Sequence, residues 1–220
     1  MRRTIVLLAV LLVGLAPIDS QVVLTRYATA LGNLVAPKAA IYSYDVSQAG
    51  PSDIEQRHRI YRSGSQIRDE TLTVDGVSPK AAQIRVYRNA DVYAIDQVAP
   101  RLALYRFLFL RAVKSGAHFD YLYQTTALVP GAYSVTRVLI DGTSWLPRTI
   151  WFRTASVNAI GSGVLQYASV SGHWMPIVAT VDALVDGKAA RERITWDGYR
   201  FPPSLPAATF NARPLPPPTS

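Results

Sequence analysis

Apolar and polar residues alternate along most of the chain beyond residue 40. "AIYSYDVSQ" (40–48) sets Tyr42, Tyr44 and Val46 against polar neighbours, the period-two signature of a half-buried strand. "AGPSD" follows as a turn, and "IEQRHRIYRSG" (54–64) with "SQIRDETLTVDG" (65–76) predicts a two-strand meander. "AQIRVYRNADVYAID" (82–96) predicts a hairpin turning at Asn89-Ala90. "FDYLYQTTALV" (119–129) and "AYSVTRVLIDG" (132–142) are joined at Pro130-Gly131. "WLPRTIWFRTA", "SGVLQYASVSG", "HWMPIVATVDALVDG" and "KAARERITW" complete the series. Pro147 and Pro176 lie inside strand-like runs, so edges or bulges are expected there. The Gly161–Gly163 "GSG" reads as a bend or hairpin tip. About ten strands at this spacing predict one antiparallel sheet, curved or closed.

The period changes in two places. Val23, Tyr27, Ala30, Leu31 and Leu34 recur on one helical face, with Asp19 or Ser20 as cap and Pro37 just beyond. Such a helix has no stability alone in water and must cover something apolar. "VAPRLALYRFLFLRAVKSG" (98–116) has helical spacing at Leu102, Tyr105, Phe109 and Ala112, although "LYRFLFL" also alternates. A helix is expected, covering the sheet or lining its concave side.

Ahead of the first helix stand two arginines, an apolar run from Ile5 to Ala16, and Pro17. That order predicts a secretory signal peptide over residues 1–20, the run being short of the roughly 20 residues a membrane span needs. A β-domain over 21–210 and a proline-rich disordered tail over 211–220 follow. Export to a periplasm or cell envelope is expected. The chain has no cysteine, which excludes lipidation on cysteine, disulfides and thiolate metal sites. Its formal charge is +8, which in an exported protein suits anionic membrane surfaces or acidic partners better than nucleic acid.

Motifs for catalysis are missing. The three histidines, His58, His118 and His173, are each solitary, with no ligand-spaced pair. "DGTSWLP" and "RSGSQIR" give no nucleophile elbow, and no glycine-rich phosphate loop or dinucleotide fingerprint occurs. No cofactor, no metal and no catalytic residue are therefore expected. Asp69 and Glu70 are neighbours on a strand and point to opposite faces, so they are expected to pair with Arg57, Arg59 or Arg62 across the meander rather than with each other. The four Asp-Gly pairs, at 75, 141, 186 and 197, read as turn chemistry rather than calcium loops.

Aromatic content is the residual signal. Twelve tyrosines, four tryptophans and six phenylalanines lie mainly in the strands. A curved sheet of this size either fills its concavity with helices or keeps a cavity for an apolar ligand. On alternation, Tyr42, Tyr44, Val46, Ile60, Ile84, Val86, Phe107, Phe109 and Trp174 are the candidate lining.

Taken together, an amphipathic first helix, the Tyr-rich strand, "RIYRSGSQIRDE" (59–70), "HWMPIVATV" (173–181) and "RITWDGYRFPPSLPAATF" (193–210) resemble the LolA/LolB-like superfamily of bacterial envelope lipoprotein carriers. They are also similar to the N-terminal domain of RseB. The resemblance implies an unclosed antiparallel barrel of about 10–11 strands whose open side is covered by short helices. It implies a hollow that shields lipid or lipoprotein acyl chains, and partners in an inner-membrane release complex and an outer-membrane receptor. It also implies an arginine at the mouth that holds a lid, with Arg59, Arg62 and Arg68 as candidates. The alternative it implies is an RseB-like envelope-stress sensor acting through a protein partner. The tail from Pro214 to Pro218 departs from the pattern. So does the absence of an anchoring cysteine, which favours a carrier over an anchored receptor.

Overall fold

The computed structural model describes residues 18–50 and 53–214, so the apolar run at 5–16 and the last six residues lie outside the described part. Eleven antiparallel strands form one sheet: β1 (Ala39–Ala49), β2 (Ile54–Ser63), β3 (Gln66–Val74), β4 (Gln83–Arg88), β5 (Tyr105–Ser115), β6 (His118–Ala127), β7 (Tyr133–Ile140), β8 (Pro147–Ala155), β9 (Ala159–Val170), β10 (His173–Val185) and β11 (Lys188–Arg200). Their order is β4-β3-β2-β1-β11-β10-β9-β8-β7-β6-β5. Two meanders are thus joined where β1 pairs with β11, and β4 and β5 stand at opposite edges. The barrel is unclosed.

This order has a geometric consequence. The chain must travel from one edge of the sheet to the other between Arg88 and Tyr105, and it does so across the concave side. The crossover includes one short helical turn, α2 (Ile95–Val98), with Ile95 and Val98 buried. The predicted hairpin at Asn89-Ala90 does not form, because β4 has no further strand to pair with. Tyr93 instead leaves the sheet and meets Trp196 edge-on at 5.0 Å.

The first helix, α1 (Ser20–Gly32), begins where the sequence predicts, with the Asp19 carboxylate accepting from the Gln21 N–H at 2.8 Å. It lies on the concave face of the β5–β8 half. Val23 and Tyr27 are fully buried there, each contributing about 2 kcal/mol by burial. Tyr27 meets Phe107 at 5.8 Å, Arg26 sits over the Trp145 ring at 4.6 Å, and the Tyr123 hydroxyl donates to the Ser20 carbonyl at 2.8 Å.

The helix expected over 98–116 is replaced by a turn and β5. From Tyr105 the chain pairs with β6 through Ser115. Tyr105, Phe109 and Ala112 of the helical spacing all face inward along β5, helped by the register shift between Phe109 and Arg111, while the outward Leu108 masks the alternation. The free edge of β6 then offers a ladder that outweighs the helix propensity of Leu, Arg and Ala. The GSG expected at a hairpin tip lies inside β9, where Gly163 stands opposite Phe152. A Cβ on Gly163 would come within 2.5 Å of that ring. Pro147 opens β8 and Pro176 sits at a register shift in β10, as proline in a sheet requires. Gly198 takes φ 63° at a shift in β11 rather than in a hairpin turn, and so kinks the last strand.

Beyond β11 the C-terminal segment crosses to the outer face of β3, where a 3-10 turn (Ala207–Phe210) buries Thr209. Leu205 and Phe210 are half-buried.

Candidate functional site

The concave face is not filled throughout. A cleft of about 840 Å³ remains between the C-terminal half of α1, the start of β1, the edge-to-edge crossover and the start of β10. Its apolar wall comes from Tyr27, Leu31, Leu34, Tyr42, Ala99 and Trp174. A second cleft of about 810 Å³ lies beyond the end of α1 and shares Leu34, Val35, His173 and Trp174 with the first.

The crossover is held over this space by its backbone carbonyls. The Tyr27 hydroxyl donates to the Pro100 carbonyl at 2.7 Å, Tyr167 to that of Tyr93 at 2.8 Å, and Tyr133 to that of Val98 at 3.3 Å. At the mouth, Arg62 Nη1 donates to the Asn89 carbonyl at 3.3 Å and its Nε lies 3.6 Å from the Asp91 carboxylate. Burial pushes the phenols of Tyr27, Tyr133 and Tyr167 well above the usual tyrosine value. Burial, with the Asp91 charge nearby, pushes Tyr42 up to about 12. These tyrosines stay neutral and serve as walls and hydrogen-bond donors.

No protein-family model matches the chain, and no curated protein matches it. Among solved structures it is similar to a LolA superfamily protein from Nitrosomonas europaea, at 13% identity and a TM-score of 0.44, covering 88% of this chain and 98% of that one. It is also similar to an outer membrane lipoprotein-sorting protein domain from Vibrio parahaemolyticus, at 14% identity and a TM-score of 0.46, covering 88% and 97%. A DUF1329 family protein from Desulfovibrio piger is similar at 10% identity and a TM-score of 0.48, covering 87% and 96%.

The predicted lining residues divide between the two faces. Tyr42, Tyr44, Val46 and Ile60 are inward, since Tyr42 stands opposite Ile60 and Tyr44 opposite the buried Trp196. Phe107 is inward and half-buried against Tyr27 and Tyr123. Phe109 also meets Tyr123, at 5.5 Å, but is 40% exposed near the sheet edge. Trp174 lines the cleft and donates from Nε1 to the Pro147 carbonyl at 2.8 Å. Ile84 and Val86 stand opposite Glu70 and Arg68, on the outer face. Only Tyr42 and Trp174 of the nine border the first cleft; the other inward residues are core or lie along its flanks.

The three arginines also divide. Arg62 is at the cleft. Arg59 stands opposite Ser43 and Glu70, on the outer face. Arg68 is outward too, yet wholly buried, because the C-terminal segment covers it: Nη1 donates to the Thr209 carbonyl at 3.2 Å and to that of Asn211, and Nε to Glu70 at 2.7 Å.

The expected cross-strand ion pairs of Asp69 and Glu70 form otherwise. Glu70 pairs with Arg68 two residues away, and Asp69 Oδ1 lies 2.7 Å from His58 Nδ1 on the inner face. His58 is buried and stacks on Tyr44 at 4.7 Å. Its other nitrogen meets Gln56 Oε1 at 3.1 Å, so neither nitrogen is left to activate a nucleophile. Arg57 bridges Asp45 and Asp197 instead, at 2.5 and 2.9 Å.

His118, solitary in sequence, converges with Asp120 and Asp141, their nearest ligand atoms lying within 4.8 Å of one another. The carboxylates already accept from the chain itself: Arg148 donates to Asp120 at 2.8 Å, and Ser144 N–H to Asp141 at 2.7 Å. This cluster fastens the 141–146 loop to β6.

The crossover was the part of the site missed by sequence reading. Its signal was present in Ile95, Val98 and Ala99, apolar at helical spacing, but four residues of helix are too few for periodicity to separate from a strand.

Proposed function

We propose that the protein is an exported binding protein or carrier that takes up acyl chains of lipid or lipoprotein in the cleft under the crossover. One observation carries the reading: a largely apolar cleft of about 840 Å³ inside an unclosed barrel, closed over by a segment held mainly through its backbone carbonyls. Releasing the segment deprives the Tyr27, Tyr133 and Tyr167 hydroxyls of their acceptors, so uptake of a chain must offset those lost hydrogen bonds. Arg62 acts as the closing contact at the mouth, and Tyr42, Leu31 and Trp174 contact the chain.

Each methylene moved from water into the cleft contributes about 0.8 kcal/mol. Part of that gain offsets the displacement of the crossover. The engagement of both His58 nitrogens, by Asp69 and Gln56, fits binding better than turnover at that histidine.

The test is extraction of protein purified from its native envelope, followed by mass spectrometry of the organic phase. Acyl lipid or acylated protein is expected in about equimolar amount. In parallel, a fluorescent acyl probe is expected to bind the wild type and to bind Ala99→Phe, which places a ring in the cleft, at least about tenfold more weakly. Unchanged probe binding in Ala99→Phe, or purified protein consistently free of acyl material, defeats the reading.

A further inference from the structure

We propose that the outer face of β5 and its flanking turns form a docking surface for an anionic lipid bilayer. The inference concerns a surface outside the cleft and stands whatever the cleft holds.

The surface combines two features that a soluble β-protein ordinarily keeps apart. Leu104, Leu108 and Leu110 are exposed along one sheet edge, Leu108 at 62%, and Leu128 and Val129 continue the patch at the end of β6, Val129 at 76%. An edge strand with exposed leucines invites aggregation unless something covers it. Leu110 is exposed by a local irregularity: the register of β5 on β6 shifts between Phe109 and Arg111, leaving Leu110 without a partner.

Cations frame the leucines. Register places Arg106 and Leu108 opposite Thr126 and Gln124, on the outer face, and Arg111 opposite the outward Leu122. Arg106, Arg111 and Arg153 are exposed, and among the described residues none of them forms an ion pair. From Arg101 to Val181 the chain carries seven Lys and Arg against two acids, Asp120 and Asp141. Both acids are buried, and both are engaged by Arg148 or the 141–146 loop. The face is therefore positive without compensation.

A bilayer fits this pattern better than a protein. The leucines project from an open strand edge rather than lining a pocket, and neither cleft contains Leu104, Leu108 or Leu110, so no cavity offers the buried anchor that a protein interface uses. Long aliphatic side chains that enter the acyl boundary, beside arginines whose guanidinium groups reach phosphates, are the arrangement of interfacial segments. The patch also runs straight into the cleft, since Arg101, Leu102 and Ala103 line it. A protein docked through Leu104 and Leu108 holds that mouth beside the lipid.

The test is co-sedimentation of the full chain with vesicles of phosphatidylcholine alone or mixed with phosphatidylglycerol. Binding is expected only with the anionic vesicles and is expected to fall with salt. Arg106→Glu with Arg111→Glu is expected to weaken it by about 25-fold or more, at roughly fivefold per cation near the surface. Leu108→Ser with Leu110→Ser keeps the charge and is expected to abolish the part of the binding that survives high salt. Arg85→Glu with Arg88→Glu makes the same charge change on β4, the opposite edge, and is expected to stay within about twofold of wild type. No sedimentation with anionic vesicles at low salt overturns the proposal. So does an equal loss in the β4 and β5 charge variants, or full salt-resistant binding in the leucine variant. Circular dichroism of each variant separates loss of binding from loss of fold.

Discussion

A guanidinium shut away from solvent is costly unless acceptors meet its N–H groups, and Arg68 meets Glu70 and the carbonyls of Thr209 and Asn211. Removing it orphans the carboxylate and frees the strap. Arg68→Ala is expected to cost about 3 kcal/mol in chemical denaturation and to expose the segment after Phe201 to limited proteolysis. Arg62 differs because its ion pair reaches solvent. Arg62→Ala is expected to cost less than about 1 kcal/mol, while hydrogen exchange quickens at 89–94 and acyl-probe uptake accelerates. Asp141 supplies a pH test. Burial alone would raise its carboxyl, but hydrogen bonds from Ser144 and Thr143, with Arg148 nearby, hold it below its ordinary value. A depressed folded value means that the stabilisation is present above about pH 4 and is lost as pH falls through that range. The acid limb of a denaturation profile is expected to flatten in Asp141→Asn. Residue types were legible here, but partners were not: sequence placed Asp69 and Glu70 on opposite faces, yet Asp69 met His58 through the β2–β3 register, and Glu70 met Arg68 two positions back on its own strand.

Among the elements, strands with a polar outer face were readable and β5 was not. In β1, Tyr42, Tyr44 and Val46 alternate with Ser43, Asp45 and Ser47, so the two faces differ in chemistry. In β5 both faces carry apolar residues, so the alternation of "LYRFLFL" does not outweigh the competing helical spacing although the backbone is extended. The glycines of β9 illustrate a related loss. Gly163 looks like a loop signal, but it makes room for the Phe152 ring on the inner face. Gly163→Val is expected to force that ring aside and to cost about 1–3 kcal/mol in a urea melt, whereas the same change would be mild if the site were a hairpin tip.

At the level of the whole molecule, the strand order sends the chain from edge to edge across its own hollow, and tyrosine hydroxyls meet it there. Tyrosines that line the hollow or stand in the crossover couple the closure to alkaline pH. Tyr42 and Tyr93 are pushed up to about 12, mainly by burial. A raised folded value means that stability is full below about pH 10, where the unfolded chain starts to ionise, and is lost as pH rises toward 12. Alkaline titration is expected to show tyrosinate absorbance rising together with loss of near-ultraviolet circular dichroism, and Tyr133→Phe is expected to loosen the crossover without altering strand content. Separate titration at ordinary values, before any unfolding, would contradict this burial.

What the sequence determined by itself follows from periodicity and backbone chemistry, which act within a few residues. It set the amphipathic α1 with its Asp19 cap, the run of strands and the bulges at proline. Which residues meet was decided only by the tertiary structure. Pairing of β1 with β11 put β4 and β5 at opposite edges, and that single long-range choice laid the crossover over the hollow. The folded chain also left Arg62 at the mouth, turned Ile84 and Val86 outward through the β3–β4 register, and buried Arg68 beneath the C-terminal segment. The β1–β11 pairing joins residues about 150 positions apart, and no local pattern of apolar and polar positions encodes it.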